Sequence, residues 1–90
     1  MDIAFDPAKN EVNRTKHGLD LATAQHFDFA TALGRIDART DYGEQREVAI
    51  GFIGERLHVL VFTRRGATIR VISLRKANKR EIGHYVENIG

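Results

Sequence analysis

No cysteine occurs in the 90 residues of this chain. That excludes disulfides, thiolate metal sites and a thiol nucleophile, and it fits a reducing compartment. No stretch approaches the roughly 20 apolar residues needed to cross a bilayer. The opening Met-Asp-Ile-Ala-Phe-Asp lacks the basic region and apolar run of a secretion signal. The expectation is therefore a cytoplasmic protein without membrane association. There is no glycine-rich phosphate loop, and His17, His26, His58 and His84 are far apart in sequence. The carboxylates form no paired motif, so neither a metal nor a cofactor is expected. Aromatic residues make up only 8% of the chain, which weighs against a surface that stacks nucleobases. Acidic residues are missing from one window in particular. From Arg56 to Arg80 there are eight Lys or Arg residues and no Asp or Glu. The net charge of +2 would not mark a nucleic-acid binder, but this uneven distribution points toward one.

Hydrophobic residues account for 42% of the sequence, which suits one folded domain over 1–90 with a single core. Ile3 to Phe5 reads as an edge strand. Asp6-Pro7 starts a helix, because Asp caps free amides and Pro suits the first helical position. That helix is expected to stop at Gly18. Ala8, Val12 and Thr15 are expected to pack on the body, leaving Lys9, Asn13, Lys16 and His17 as a polar stripe. The stripe reads either as a solvated face or as a functional one. Asp20 caps a second helix from Leu21 to Phe27, with Leu21, Ala24 and Phe27 as its apolar edge. Residues 30–39 read as a strand and Thr40 to Gln45 as a polar turn.

Arg46 to Ile53 alternates Val48, Ile50 and Phe52 to one face, as a half-buried strand does. Gly54-Glu55 is a two-residue hairpin turn. Leu57 to Arg64 is apolar on both faces and is expected to be central, with His58 a peripheral polar residue. A turn at Arg65-Gly66 then leads to a last strand, Thr68 to Leu74. Asn78 and Glu81 form a capping-box pair that opens a final helix. The class is α+β: a mainly antiparallel sheet of four to five strands, with two N-terminal helices and one C-terminal helix.

Arg64, Arg65, Arg70 and Arg75 lie on and around the hairpin from Thr63 to Arg75. Taken singly, each suits a solvated strand edge. Together they suit phosphate, which planar guanidinium forks bind well. RNA can be cut with its own 2′-hydroxyl as nucleophile. A base takes that proton, cations stabilise the charge on the phosphoryl oxygens, and an acid protonates the departing 5′ oxygen. Arginines on a rigid hairpin suit the second role, and His17 or a lysine suits the first or third.

The spacing Asp6-Pro7-x-Lys9-x3-Asn13-x2-Lys16-His17-Gly18 resembles the opening of the BrnT toxins, ribonucleases of type II toxin–antitoxin pairs. The resemblance continues through Glu44-x-Arg46, Gly51, Thr63-x-Arg65 and Arg70-x-Ile72-Ser73-x-Arg75-x-Ala77 to Glu81 and Tyr85. It implies a RelE-like fold, RNA cleavage that inhibits translation, and a neutralising antitoxin. The implied antitoxin is of the ribbon-helix-helix, BrnA-like kind, and operator DNA would be contacted only through it. On this reading His17 is an acid or base, and Arg64, Arg70 and Arg75 form the cationic site. Lys16, Arg65 and Lys76 hold flanking phosphates. Arg70 and Arg75 have opposite strand parity, so a bulge or the strand end must re-aim Arg75 if both serve one site. Two other readings remain: an RNA-binding module without catalysis, and a subunit whose basic patch meets an acidic protein.

Overall fold

The computed structural model describes residues 2–37 and 44–89. In chain order these form strand β1 (Asp2–Ala4), helix α1 (Pro7–His17), a 3₁₀ helix (Leu21–His26) and strands β2 (Leu33–Asp37), β3 (Arg46–Ile53), β4 (Arg56–Arg65) and β5 (Thr68–Lys76). Helix α2 (Lys79–Asn88) closes the chain. The five strands make one sheet in the order β1-β5-β4-β3-β2. β1 pairs parallel with β5, and every other pairing is antiparallel. The polar turn expected after β2 lies mostly outside the described residues.

Two glycines set the hairpins. Gly54 has φ 61° at the β3–β4 turn, and Gly66 has φ 58° at the β4–β5 turn. A left-handed backbone costs glycine nothing. The second turn is Gly66-Ala67, one residue beyond the expected position, because Arg65 still pairs with Thr68.

β4 is central and buries both of its faces. Leu60 and Phe62 face one cluster with Leu21, Ala24, Phe27, Ala49, Ile69, Val71 and Leu74. Leu57 and Val59 face another with Ile50, Ala77 and Tyr85. The 3₁₀ helix covers the first side, and α2 covers part of the second through Ile82 and Tyr85. Tyr85 donates its hydroxyl to the Thr31 carbonyl at 2.9 Å and meets Phe52 edge-on. Gly51 lies under Phe27, where an added Cβ would come within 2.6 Å of the ring. His58 is buried at 5% exposure rather than peripheral. Its Nδ1 lies 2.8 Å from the Arg56 carbonyl oxygen. Pairing against Lys76 and Gly51 places it inside the sheet, not at its margin.

Leu21–His26 is a 3₁₀ helix rather than an α-helix. Leu21, Ala24 and Phe27 recur every third residue and are all buried, which is the spacing that three residues per turn aligns. Asp20 caps it by accepting from Ala22 N at 2.9 Å.

α1 begins and ends as its sequence dictates. Asp6 accepts from Ala8 N at 2.8 Å, Pro7 follows, and Gly18 terminates the helix at φ 70°. Its orientation differs from the expectation. The residue that packs is Asn13, 4% exposed, whereas Val12 is 61% exposed and Ala8 and Thr15 are also on the surface. The reason is the open edge of β5. β1 covers that edge only from Thr68 to Arg70. Beyond it, Asn13 accepts from Leu74 N at 3.0 Å and donates to Leu74 O at 2.9 Å. One side-chain amide thus supplies both bonds a neighbouring strand would make, and a buried peptide group left unpaired would cost about 1–3 kcal/mol. That requirement outweighs the weak apolar preference of Ala8 and Val12.

Candidate active site

The geometry of the site starts from an irregularity in β5. Val61 pairs with Ser73, but Phe62 pairs with Val71. Ile72 is therefore an extra residue, a β-bulge, and the face to which each later side chain points is inverted relative to simple alternation. Ile69 and Val71 enter the core before the bulge, and Leu74 enters the same core after it. Arg70, Ser73 and Arg75 consequently share the other face, the α2 side. Thr63 and Arg65 of β4 and Arg46 of β3 have the parity of Val59 and of Val48 and Ile50, so they face the same way.

This part of the sheet face is left open beside α1, and two adjoining clefts form there. The larger, about 440 Å³, is lined by Ala8, Lys9, Val12, Asn13, Lys16 and His17 of α1 with Ile72 and Ser73 of the bulge. The smaller, about 150 Å³, is lined by Lys9, Glu44, Arg46, Thr63, Arg65, Arg70 and Ile72. Lys9 and Ile72 belong to both, so the two form one groove from His17 to Arg65.

The cations lining this groove, and Arg75, which lies near enough to His17 to act on its charge, fall into two kinds. Arg65 is tied to the Glu44 carboxylate through both Nε and Nη2. Arg75 makes a two-pronged pair with Glu81 at 2.8 and 2.7 Å. Glu81 Oε1 also accepts from Asn78 N at 2.9 Å, closing the capping box of α2, so the helix start and the arginine are positioned by one carboxylate. Lys9, Lys16 and Arg70, in contrast, have no ion-pair partner among the described residues. They are the charges left available to an anion.

Electrostatics follow from this crowding. His17 has its pKa lowered from 6.5, first by partial removal from water and then by Lys16 and Arg75. Its imidazole is neutral at pH 7 and can accept a proton. Glu44 is held below the usual carboxylate range, chiefly by its hydrogen bond with Arg65, and stays ionised in the groove. Thr63, 3% exposed, has no hydrogen-bond partner for its hydroxyl among the described residues.

Of the residues singled out in the sequence, the structure brings together His17, Lys16, Arg65, Arg70 and Arg75. Arg64 is elsewhere. It has the parity of Phe62, stands over that ring at 5.4 Å, and donates to Glu47 at 2.7 Å on the opposite face. Lys76 pairs with His58 and has the parity of Leu74, away from Arg75. Lys9 and Arg46 also lie in the groove, beyond the residues to which the sequence assigns a site role. Both left a signal. Lys9 is a cation in the first turn of a helix, where the dipole disfavours it. Arg46 continues the alternation of Val48 and Ile50.

The model of a family described as ribonuclease toxin, BrnT, of type II toxin–antitoxin systems matches residues 5–81. That span holds every residue of the groove. No curated protein matches the chain.

Proposed function

The chain belongs to the BrnT family of ribonuclease toxins of type II toxin–antitoxin systems, and from that premise we propose that the groove between α1 and the β4–β5 hairpin cuts RNA without a metal. An RNA substrate and an antitoxin partner follow from the family itself. The observation that carries the catalytic reading is the joining of a neutral imidazole and cations with no ion-pair partner among the described residues along one groove.

His17 takes the proton of the 2′-hydroxyl. The 2′ oxygen then attacks phosphorus, the bond to the 5′ oxygen breaks, and a 2′,3′-cyclic phosphate remains on the upstream fragment. Arg70 and Arg75 stabilise the charge on the non-bridging oxygens as it builds. Fixed donors of this kind are worth most where they need no reorganisation, and Arg75 is held in place by Glu81. The departing 5′ oxygen takes its proton from an ammonium of the same groove, Lys16 or Lys9. Arg65, Arg46 and Lys16 hold neighbouring phosphates. No three carboxylates or imidazoles among the described residues converge to hold a metal ion, and in the smaller cleft four cations face the single carboxylate of Glu44.

The same proposal extends to the cell. Cleavage inhibits translation in the cytoplasm. A ribbon-helix-helix antitoxin, BrnA-like, covers the groove and alone contacts operator DNA. The sheet, with α1 at its edge and α2 on one face, is of the RelE kind.

The test uses purified protein, freed of partner, with a defined RNA in EDTA. The expected result is fragments ending in 2′,3′-cyclic phosphate, with a rate that falls as pH drops below the lowered pKa of His17. Intact RNA, or fragments with 5′-phosphate ends, would overturn the mechanism.

A further inference from the structure

The mechanism explains the charged walls of the groove but not its apolar one. Val12 and Ala8 are one helical turn apart on α1 and are exposed because Asn13, not they, meets the sheet. Exposed apolar residues are common singly and need no explanation. Here they line a cleft of about 440 Å³ together with Ile72, which the bulge adds to the same side. That volume is in the range of small-ligand sites. Lys9 and Lys16 flank the apolar strip on the same helix, and Ser73 and His17 lie in the same cleft.

We propose that Val12, Ala8 and Ile72 form the seat of an unpaired nucleobase next to the scissile phosphate. The inference rests on the RNA reading of the groove and adds to it the part of the substrate that enters the larger cleft. A flat apolar ring joined to an anionic chain matches an apolar strip bordered by two ammonium groups that have no ion-pair partner among the described residues. Continuity selects RNA over an acidic peptide of similar chemistry. Lys9 and Ile72 also line the arginine cleft, so a phosphate held by Arg70 delivers its adjoining base to Val12. Aliphatic walls grip a base by area rather than by hydrogen bonds. The seat therefore selects for base size, and Ser73 supplies a neutral polar contact beside it.

The experiment measures binding of short 2′-O-methyl oligonucleotides, which cannot be cut by 2′-hydroxyl attack. Each ligand lacks one base in turn. For the wild-type chain, removing one particular base is expected to weaken binding about fivefold, the loss of roughly one buried aliphatic contact. Val12→Ser is expected to weaken the intact ligand by the same factor. The two losses are expected not to multiply, since they remove the same contact. Val12→Leu, which keeps the wall apolar, is expected to bind like wild type. Independent, multiplying losses would overturn the proposal, as would wild-type binding that is indifferent to every missing base. Loss of antitoxin binding alone in Val12→Ser would also overturn it and assign the strip to the protein partner. If wild type binds these ligands only through charge while still cleaving RNA in EDTA, the base seat falls and the ribonuclease reading stands. If it binds none of them and cleaves nothing, both fall.

Discussion

Both faces of the β4–β5 hairpin carry arginine, but the two faces do different things. On one side Arg64 lies over Phe62 and is bonded to Glu47, above a core sealed by the 3₁₀ helix and Phe27. On the other, Arg65 and Arg70 line an open groove with α1 as its far wall, and Arg75 lies on the same face near His17. Neighbours in sequence, Arg64 and Arg65 differ only in strand parity. The lesson is that a basic window marks a region, while register decides which of its charges can reach a ligand.

The comparison breaks most visibly at Arg70 and Arg64. Arg70→Ala is expected to lower the cleavage rate about 10²-fold, the usual consequence of removing a fixed donor to developing charge, with little change in melting temperature. Arg64→Ala is expected to leave the rate within about twofold and to cost at most about 1 kcal/mol of stability, as exposed pairs do. Single-turnover kinetics and thermal melts on both variants check this. Equal losses of rate would refute the division between faces.

A smaller effect is expected at Glu81. Glu81→Gln leaves Arg75 in the sheet but removes the carboxylate that aims it, so the rate falls about tenfold, and losing a charged hydrogen-bonded pair costs about 1–3 kcal/mol. The pH dependence has a definite sign. The Arg75 guanidinium holds the Glu81 carboxyl below its ordinary value of 4.5. Its stabilisation is therefore complete above that value and is lost as pH falls through the lowered folded value. Denaturation of wild type and variant from neutral to acid pH should converge at the acid end. A gap that stays constant with pH would show that the pair contributes nothing through ionisation.

Lys9 tests how far the open face extends. Lys9→Ala is expected to lower RNA affinity a few-fold and to reduce the slope of log affinity against log salt by about 0.7, the value for one phosphate contact on a single strand. An unchanged slope would remove Lys9 from the phosphate path.

The sealed face supplies the control with the smallest effect on activity. Gly51→Ala puts a Cβ into the Phe27 ring, which is itself packed against Phe29 at 4.9 Å. Overpacking of this kind is expected to cost about 1–3 kcal/mol. Cleavage per folded molecule should not change, and a fall in it would mean that the sealed side transmits strain to the groove.

Much of this is legible in the residues alone. The capped ends of α1, the double-sided strand β4, the capping box of α2 and the location of the cationic patch all follow from local chemistry. So does family membership, because it depends on residue types at fixed spacing. Other features were not legible for particular reasons. Arg70 and Arg75 seemed to conflict because alternation assumes a regular strand, and one inserted residue reverses it. Asn13 was assigned to the exposed stripe and Val12 to the core because periodicity weighs hydrophobicity, not the need of a strand edge for hydrogen bonds. His58 looked peripheral from its place near a strand start, whereas its position between Gly51 and Lys76 encloses it.

By itself, then, the sequence determined the order of the elements, the helix caps, the class of fold, the family, and the stretch of chain that would carry charge. These depend on interactions within a few residues or on composition. Only the tertiary structure decided which side of β5 each arginine takes, which face of α1 the sheet claims, and which cations have no carboxylate among the described residues. Those outcomes are set by pairing between distant segments: Asn13 with Leu74, Val71 with Phe62, and Glu81 with Arg75. A single bulge or a single unpaired peptide group is enough to change them.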